Sequence, residues 1–246
     1  MTSGLIEYVW DEDVAVIRMD DGRVNALSLE MLGEINRALD DAETREVPLI
    51  LSGRTGVFSA GFDLKSMRKP NLSTLFMIRE GFRLSARLLS HPQPVVIACT
   101  GHAVAMGAFL LLSGDYRVAA RGPWQIVANE VGIGMTVPRA GVELCRFRLA
   151  PNHLQRALTL AEPYSPDEAV EAGFVDEVVE AGQLEARVRA LAAESKQLDK
   201  VAHRNTKRRA RRAHLGTLRS AIWKDSANFA WMGVTLAAKK ALSVRG

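Results

Sequence analysis

The residues able to do chemistry are few, and their spacing rules out the commonest reactions. Five histidines form no H-E-x-x-H pair, so two imidazoles one helical turn apart are lacking and no metal site is expected. Ser59 stands in GVFSAG, where the first glycine comes one position too early for the strained G-x-S-x-G elbow. It therefore reads as a turn residue rather than a nucleophile. Neither G-x-x-x-x-G-K-[ST] nor G-x-G-x-x-G occurs, so a phosphate cradle of either type is not expected. His102 reads as a turn residue that satisfies hydrogen bonds. Cys99 and Cys145 provide no disulfide framework, which fits a reducing, cytoplasmic compartment.

Two segments remain. FSAGFDL (58–64) and TGHAVAMGAF (100–109) each follow a strand-like apolar run and pass through small residues. Each leaves backbone N–H groups near a strand end, and the second places them at a helix start. Two such groups aimed at one point make an oxyanion hole. On spacing alone, ordinary strand-to-helix turns are the simpler reading.

The elements that must position these segments follow from periodicity. Leu5 to Trp10 and Val14 to Met19 alternate as two strands. Ser28 is placed to cap a helix running to about Glu43, with Leu29, Leu32, Ile35 and Leu39 on one face. VPLILSG, PVVIACTG, DYRVAA and WQIVA read as further strands, with helices over about 71–90 and 105–113 between them. Strands alternating with helices argue for an α/β core with parallel strands. Beyond Asn129 the pattern is mostly helical, over 138–149, 151–160, 166–172 and 183–196, with FVDEVV a short strand. A last helix is expected over about 217–243. Residues 1–197 read as the core and 198–246 as a basic helical subdomain.

Charge separates these parts. The net charge is +4, yet residues 200–246 hold twelve Lys and Arg against the single acid Asp225. A basic end on an acidic body suits an anionic ligand, a nucleic acid or an acidic neighbouring subunit. From Leu88 to Gly114 no charged residue occurs, which is long enough to span a bilayer. Pro92, Pro94, Gln93, Thr100, Gly101 and His102 interrupt it, so a buried strand, a loop and a buried helix fit better than a membrane span. The start of the chain has neither the basic residues nor the apolar run of an export signal.

Taken in order, the motifs resemble the crotonase, or enoyl-CoA hydratase/isomerase, superfamily. They are GRVNALSLEM (22–31), VFSAGFDL (57–64), PQPVVIACTGHAVAMGAFLLLSGDYRVAA (92–120), ANEVGIG (128–134) and SPDEAVEAGFVDEVV (165–179). The resemblance implies a spiral of ββα units with a C-terminal helical region that forms trimers or hexamers. It implies an acyl-CoA substrate whose enolate is stabilised, with no cofactor beyond the coenzyme A of that substrate. By position, the oxyanion donors are the backbone N–H groups of Phe62 and Met106. Arg23, Val24, Ala60 and Leu64 match the stretch that binds coenzyme A.

The acid–base positions bear on the reaction. The resemblance implies two glutamates for hydration; one is present as Glu130, and the other position holds Phe109. Hydration needs an activated water and a proton donor, which two carboxylates provide and a phenylalanine cannot. Moving a double bond from the 3- to the 2-position needs only one carboxylate, which takes a proton from C2 and returns it at C4. An apolar Phe109 in the substrate site would exclude water and raise the pKa of Glu130. The single-glutamate Δ3,Δ2-enoyl-CoA isomerases are accordingly the nearest likeness, with a hydratase as the alternative reading. A non-catalytic acyl-CoA-binding or RNA-associated protein is the alternative of another class. Asp63 reads as a cap for the following segment. In HRNTKRRARRAH, residues Arg204, Lys207, Arg208, Arg209, Arg211 and Arg212 read first as a solvated helix face. Phosphate binding to coenzyme A comes second, and RNA third, since no aromatics interleave for base stacking.

Overall fold

The computed structural model describes residues 2–10, 14–67 and 71–243, with the side chains of 2–3, 64–65 and 228–243 left aside. In chain order the elements begin with β1 (Thr2–Ser3), β2 (Ile6–Trp10), β3 (Ala15–Met19), α1 (Leu29–Arg45), β4 (Leu49–Ser52) and β5 (Gly56–Ser59). Then come α2 (Leu64–Met67), α3 (Leu72–Ser90), β6 (Val95–Cys99), β7 (Gly101–Val104), α4 (Met106–Leu111), β8 (Tyr116–Ala120) and β9 (Ile126–Val127). The rest is α5 (Arg139–Arg148), α6 (Pro151–Thr159), α7 (Pro166–Ala172), β10 (Glu177–Val179), α8 (Leu184–Lys196) and α9 (Lys200–Ser243).

Seven strands form one sheet in the order β1-β2-β3-β4-β6-β8-β10, antiparallel at the first two pairings and parallel thereafter. A second, parallel sheet runs β5-β7-β9. The pairs β4/β5, β6/β7 and β8/β9 each give one strand to the large sheet and the next to the small one. A helical segment follows each pair, so the chain climbs as a spiral of ββα turns, as the resemblance implied. Every residue of β6, VVIAC, is buried, as befits a central parallel strand covered on both faces.

Local chemistry explains the helix starts. Ser28 accepts the Met31 N–H at 3.1 Å, and Asn71 and Thr74 form a reciprocal capping box. Leu29 does not join the buried stripe of α1: it is 39% exposed, whereas Met31, Leu32, Ile35, Ala38, Leu39 and Ala42 face the core. Its place at the first helical position turns it towards solvent. The turn expected at 100–104 is partly strand β7, because the second sheet claims it. Residues 88–114 are accordingly divided among α3, β6, β7 and α4, and no helix among the described residues is long and apolar enough to cross a membrane.

The last helix differs most from expectation. It starts at Lys200 rather than 217, so the basic cluster lies inside it and is not a uniformly solvated face. Lys207 and Arg211, one turn apart, are buried. Lys207 Nζ donates to Asp115 Oδ2 at 2.6 Å and to Gln93 O at 3.2 Å. Arg211 reaches Asp115 Oδ1 at 2.7 Å and Leu89 O at 2.9 Å. Arg148 of α5 donates to Leu112 O at 3.1 Å and to Gly114 O. Cations thus meet the carbonyl ends of α3 and α4, where helix dipoles favour positive charge. Arg204, Arg208, Arg209 and Arg212 remain exposed. Further along α9, Asp225 accepts the Arg139 and Ala140 N–H groups at 3.2 and 3.0 Å, so this acid caps α5.

Candidate active site

The two small-residue turns meet. Gly61 has φ +87°, a conformation open to glycine at little cost. A Cβ there would lie 2.8 Å from Val104 O and 3.0 Å from the Met106 nitrogen, so no side chain fits between the turns. Gly107 is as closely placed, since its Cβ would fall 2.3 Å from Ser59 O. Ala105 adopts φ 51°, ψ −122°, a strained conformation for a residue with a side chain. Its N–H donates to Val127 O at 2.8 Å, which holds the bend that starts α4 at Met106. Among the described residues, the Phe62 and Met106 amides donate to no carbonyl or side chain.

Asn25 clips this arrangement to the first strands. Fully buried, it donates through Nδ2 to Met19 O, Val57 O and Phe58 O at 3.0, 3.2 and 3.1 Å. Ser59 Oγ donates to Asn25 O at 2.8 Å and accepts the Gly61 N–H at 3.1 Å; it is buried at the end of strand β5 rather than in a turn, and its hydroxyl braces the turn that follows. Ala60 N–H and Leu27 N–H complete the clip through Val24 O and Gly61 O, at 2.9 and 2.8 Å. Arg23, Val24 and Ala60 lie exposed beside it, an open edge alongside the two turns. Leu64 begins α2, and its side chain lies outside the described residues. Asp63 accepts the Ser66 N–H and Oγ–H at 3.0 and 2.7 Å, the capping role read from the sequence. His102 sits in strand β7 rather than a turn, where Nδ1 accepts the Gln125 N–H at 3.0 Å.

Phe109 is 1% exposed on α4. Its ring lies 5.9 Å from that of Phe82, which in turn meets Phe62 edge-on at 6.2 Å. Gly81 of α3 makes room for the Phe62 ring, whose Cε1 stands 2.5 Å from where a Cβ would be, with Met106 Cε at 3.6 Å. Phe62, Met106 and Phe109 therefore share one apolar wall with α3.

Glu130 follows β9 and is 6% exposed. Its carbonyl accepts the Ile133 and Met135 N–H groups at 3.1 and 2.8 Å, fixing the backbone of the loop, while its Oε2 is buried without a partner. Burial pushes its carboxyl up to about 7, because a low-dielectric setting penalises the charged form. Helix α5 links it to Phe109. Gly141 lies against the Phe109 ring, and one turn on, burial raises the Cys145 thiol with the Glu130 charge adding to it. Asn25, Gly61 and Gly141 were not singled out from the sequence, and Cys145 was read only for its lack of a disulfide framework, not for its place beside Glu130. Asn25 and Gly61 lay inside quoted motifs, whereas nothing local marks α5 as the link.

A sequence model of the enoyl-CoA hydratase/isomerase family matches residues 10–243. The chain belongs to that family. Its members act on enoyl-CoA. An enoyl-CoA hydratase from Mycobacterium ulcerans is 46% identical, with a TM-score of 0.89, covering 92% of this chain and 100% of that one. A structure described as an enoyl-CoA isomerase from Mycobacterium tuberculosis is 44% identical, with a TM-score of 0.88 over 92% and 99% of the two chains. The mouse mitochondrial enoyl-CoA delta isomerase 1 is 31% identical over 231 residues, 92% of this chain and 80% of that protein. The relatives thus carry both activities in their names.

Proposed function

We propose that this member of the family moves the double bond of a 3-enoyl-CoA to the 2-position, with Glu130 carrying the proton. One observation carries the reading. A single buried carboxylate with an unpartnered Oε2 accompanies a buried phenyl ring, Phe109, at the position where a second acid would stand in a hydratase. The thioester oxygen accepts the N–H groups of Phe62 and Met106. Glu130 takes a proton from C2, the charge moves to the thioester oxygen as a dienolate, and the same carboxyl returns the proton to C4. A carboxyl poised near 7 serves as base and then as acid at neutral pH. Each backbone donor is worth about 3 kcal/mol of transition-state stabilisation.

Coenzyme A lies along Arg23, Val24, Ala60 and Leu64, and Phe109 keeps water from the double bond. No cofactor beyond coenzyme A enters this reading. A cytoplasmic homotrimer or hexamer is part of it, with neither membrane nor nucleic acid as partner; sedimentation of the purified protein tests the assembly.

Hydration is the second reading, favoured by the name of the 46% identical relative. Purified protein offered a medium-chain 3-enoyl-CoA and a 2-enoyl-CoA separates the two. Isomerisation of the first ester that is lost in Glu130→Gln supports the proposal; hydration of the second alone overturns it. Tight acyl-CoA binding with no turnover of either would make the protein a binding module.

A further inference from the structure

Four residues other than glycine take a positive φ among the described residues: Asn25, Glu46, Ala105 and Ala161. Glu46 pairs φ 54° with ψ 35°, the left-handed helical region that side chains can occupy. Ala105, directly before the proposed donor Met106, pairs φ 51° with ψ −122°. That combination belongs to the first central position of a type II′ turn, where glycine is favoured and a Cβ is strained. Strain held beside the proposed oxyanion hole needs a reason.

The strain sits in the peptide that carries the donor. The Ala105 carbonyl and the Met106 N–H are opposite ends of one planar trans peptide, so the direction of one fixes the other. The carbonyl accepts the Ala108 and Phe109 N–H groups at 2.9 and 3.2 Å, so it points into α4. The Met106 N–H therefore points the other way, out of the first turn of the helix. On the opposite side of Ala105, its own N–H is fixed to Val127 O at 2.8 Å, and Val104 pairs with Val127 in the small sheet. Strand β7 is held, which leaves ψ of Ala105 as the angle that aims the donor. Turning only the 105–106 peptide over would carry ψ from −122° to about +58°, inside the relaxed left-handed region. The turned peptide would give up both bonds to α4 and present its carbonyl, not the N–H, to the site.

We infer that Ala105 is a positioning residue, whose strained backbone aims the Met106 N–H and leaves it poised between an aimed and a turned peptide. The inference rests on Met106 as an oxyanion donor. In the ligand-free chain, two hydrogen bonds favour the aimed peptide and the strain favours the turned one. A thioester oxygen binds only the aimed form, so its apparent affinity falls with the fraction that is turned. Glycine at 105 takes up φ 51°, ψ −122° without strain and keeps both bonds, so it shifts the balance to the aimed form.

Ala105→Gly tests this with two unreactive ligands. One is a saturated medium-chain acyl-CoA; the other is the S-alkyl coenzyme A of the same length, in which CH2 replaces the thioester carbonyl. Calorimetric titration gives the two dissociation constants, and their ratio is the preference for the thioester oxygen. Glycine should raise that ratio at least threefold, by tightening the thioester alone. The ratio cancels changes in coenzyme A binding and in the amount of folded protein, so a merely structural role does not move it. A wild type that prefers the thioester by the same ratio as the variant overturns the inference alone, even where glycine stabilises the fold. A wild type that binds both ligands equally overturns the oxyanion reading, and the inference with it. Neither measurement needs turnover, so the isomerase reading is tested separately.

Discussion

The Phe109 ring occupies the space that a side chain at residue 141 would fill. A Cβ on Gly141 would stand 2.9 Å from both Cε2 and Cζ of the ring, closer than carbon atoms tolerate. The aromatic residue on α4 and the glycine on α5 are therefore one packing unit. An apolar residue at 109 is tied to this contact, whatever the substrate requires.

This unit predicts non-additive stability. Phe109→Ala should cost about 3–5 kcal/mol, as expected for emptying a buried aromatic site. Gly141→Ala should cost about 1–3 kcal/mol through overpacking. The double variant should cost less than the two together, because removing the ring makes room for the new methyl. Urea denaturation of the four proteins measures the coupling, and strict additivity would show that the ring and helix move independently.

Gly61 predicts the opposite balance, a large effect on turnover from one methyl group. Gly61→Ala sets a Cβ against Val104 O and the Met106 nitrogen at φ +87°. The strain must be relieved by parting the two turns that carry the Phe62 and Met106 amides. Loss of one aligned donor costs roughly 100- to 1,000-fold in rate, so kcat should fall on that order while KM changes less. Steady-state kinetics on an enoyl-CoA ester checks this.

How far the sequence discloses such relationships depends on their range. The cap at Ser28, the strand β6 and the helices α3 and α5–α8 were readable because propensity and periodicity are local. Strand β7 was read as a turn, because its pairing with β5 and β9 is set by distant segments. The start of α9 was placed 17 residues late, since arginines at 204–212 resemble a solvated stretch until Asp115 is seen beneath Lys207 and Arg211. At the candidate site, Glu130, Phe62, Met106 and Phe109 were named through the family likeness. The role of Gly141 and the burial of Glu130 needed the packing of α5, which no single motif contains.

Asp115 is the point at which the basic helix can be detached. Its carboxyl is held below the usual range: burial opposes this, but the cations of Lys207 and Arg211 outweigh it. Asp115→Ala leaves two buried cations uncompensated, which costs about 3–5 kcal/mol. Arg146→Ala, which breaks only the Glu143 pair near the surface, should change stability by no more than about 1 kcal/mol. Thermal or urea unfolding of both variants tests the contrast. Protease cleavage within 200–227 should rise only in the first.

Glu130 links stability to pH in a direction set by its burial. Its folded value lies near 7 against an ordinary 4.5, so the native state binds the extra proton between those values. The favourable contribution is present below pH 4.5 and is lost as pH rises through 7. At pH 8 the ionised, buried carboxylate costs on the order of 3 kcal/mol. Glu130→Gln removes that cost and should gain stability relative to the wild type between pH 5 and pH 8. Catalysis follows the opposite course, because the base works only when ionised: kcat/KM should rise tenfold per pH unit below 7 and level off above it. Denaturation and rate profiles over pH 5–8 measure both. A Glu130→Gln variant whose stability difference from the wild type is the same at pH 5 and pH 8 would show that this carboxyl is not the buried, proton-carrying group.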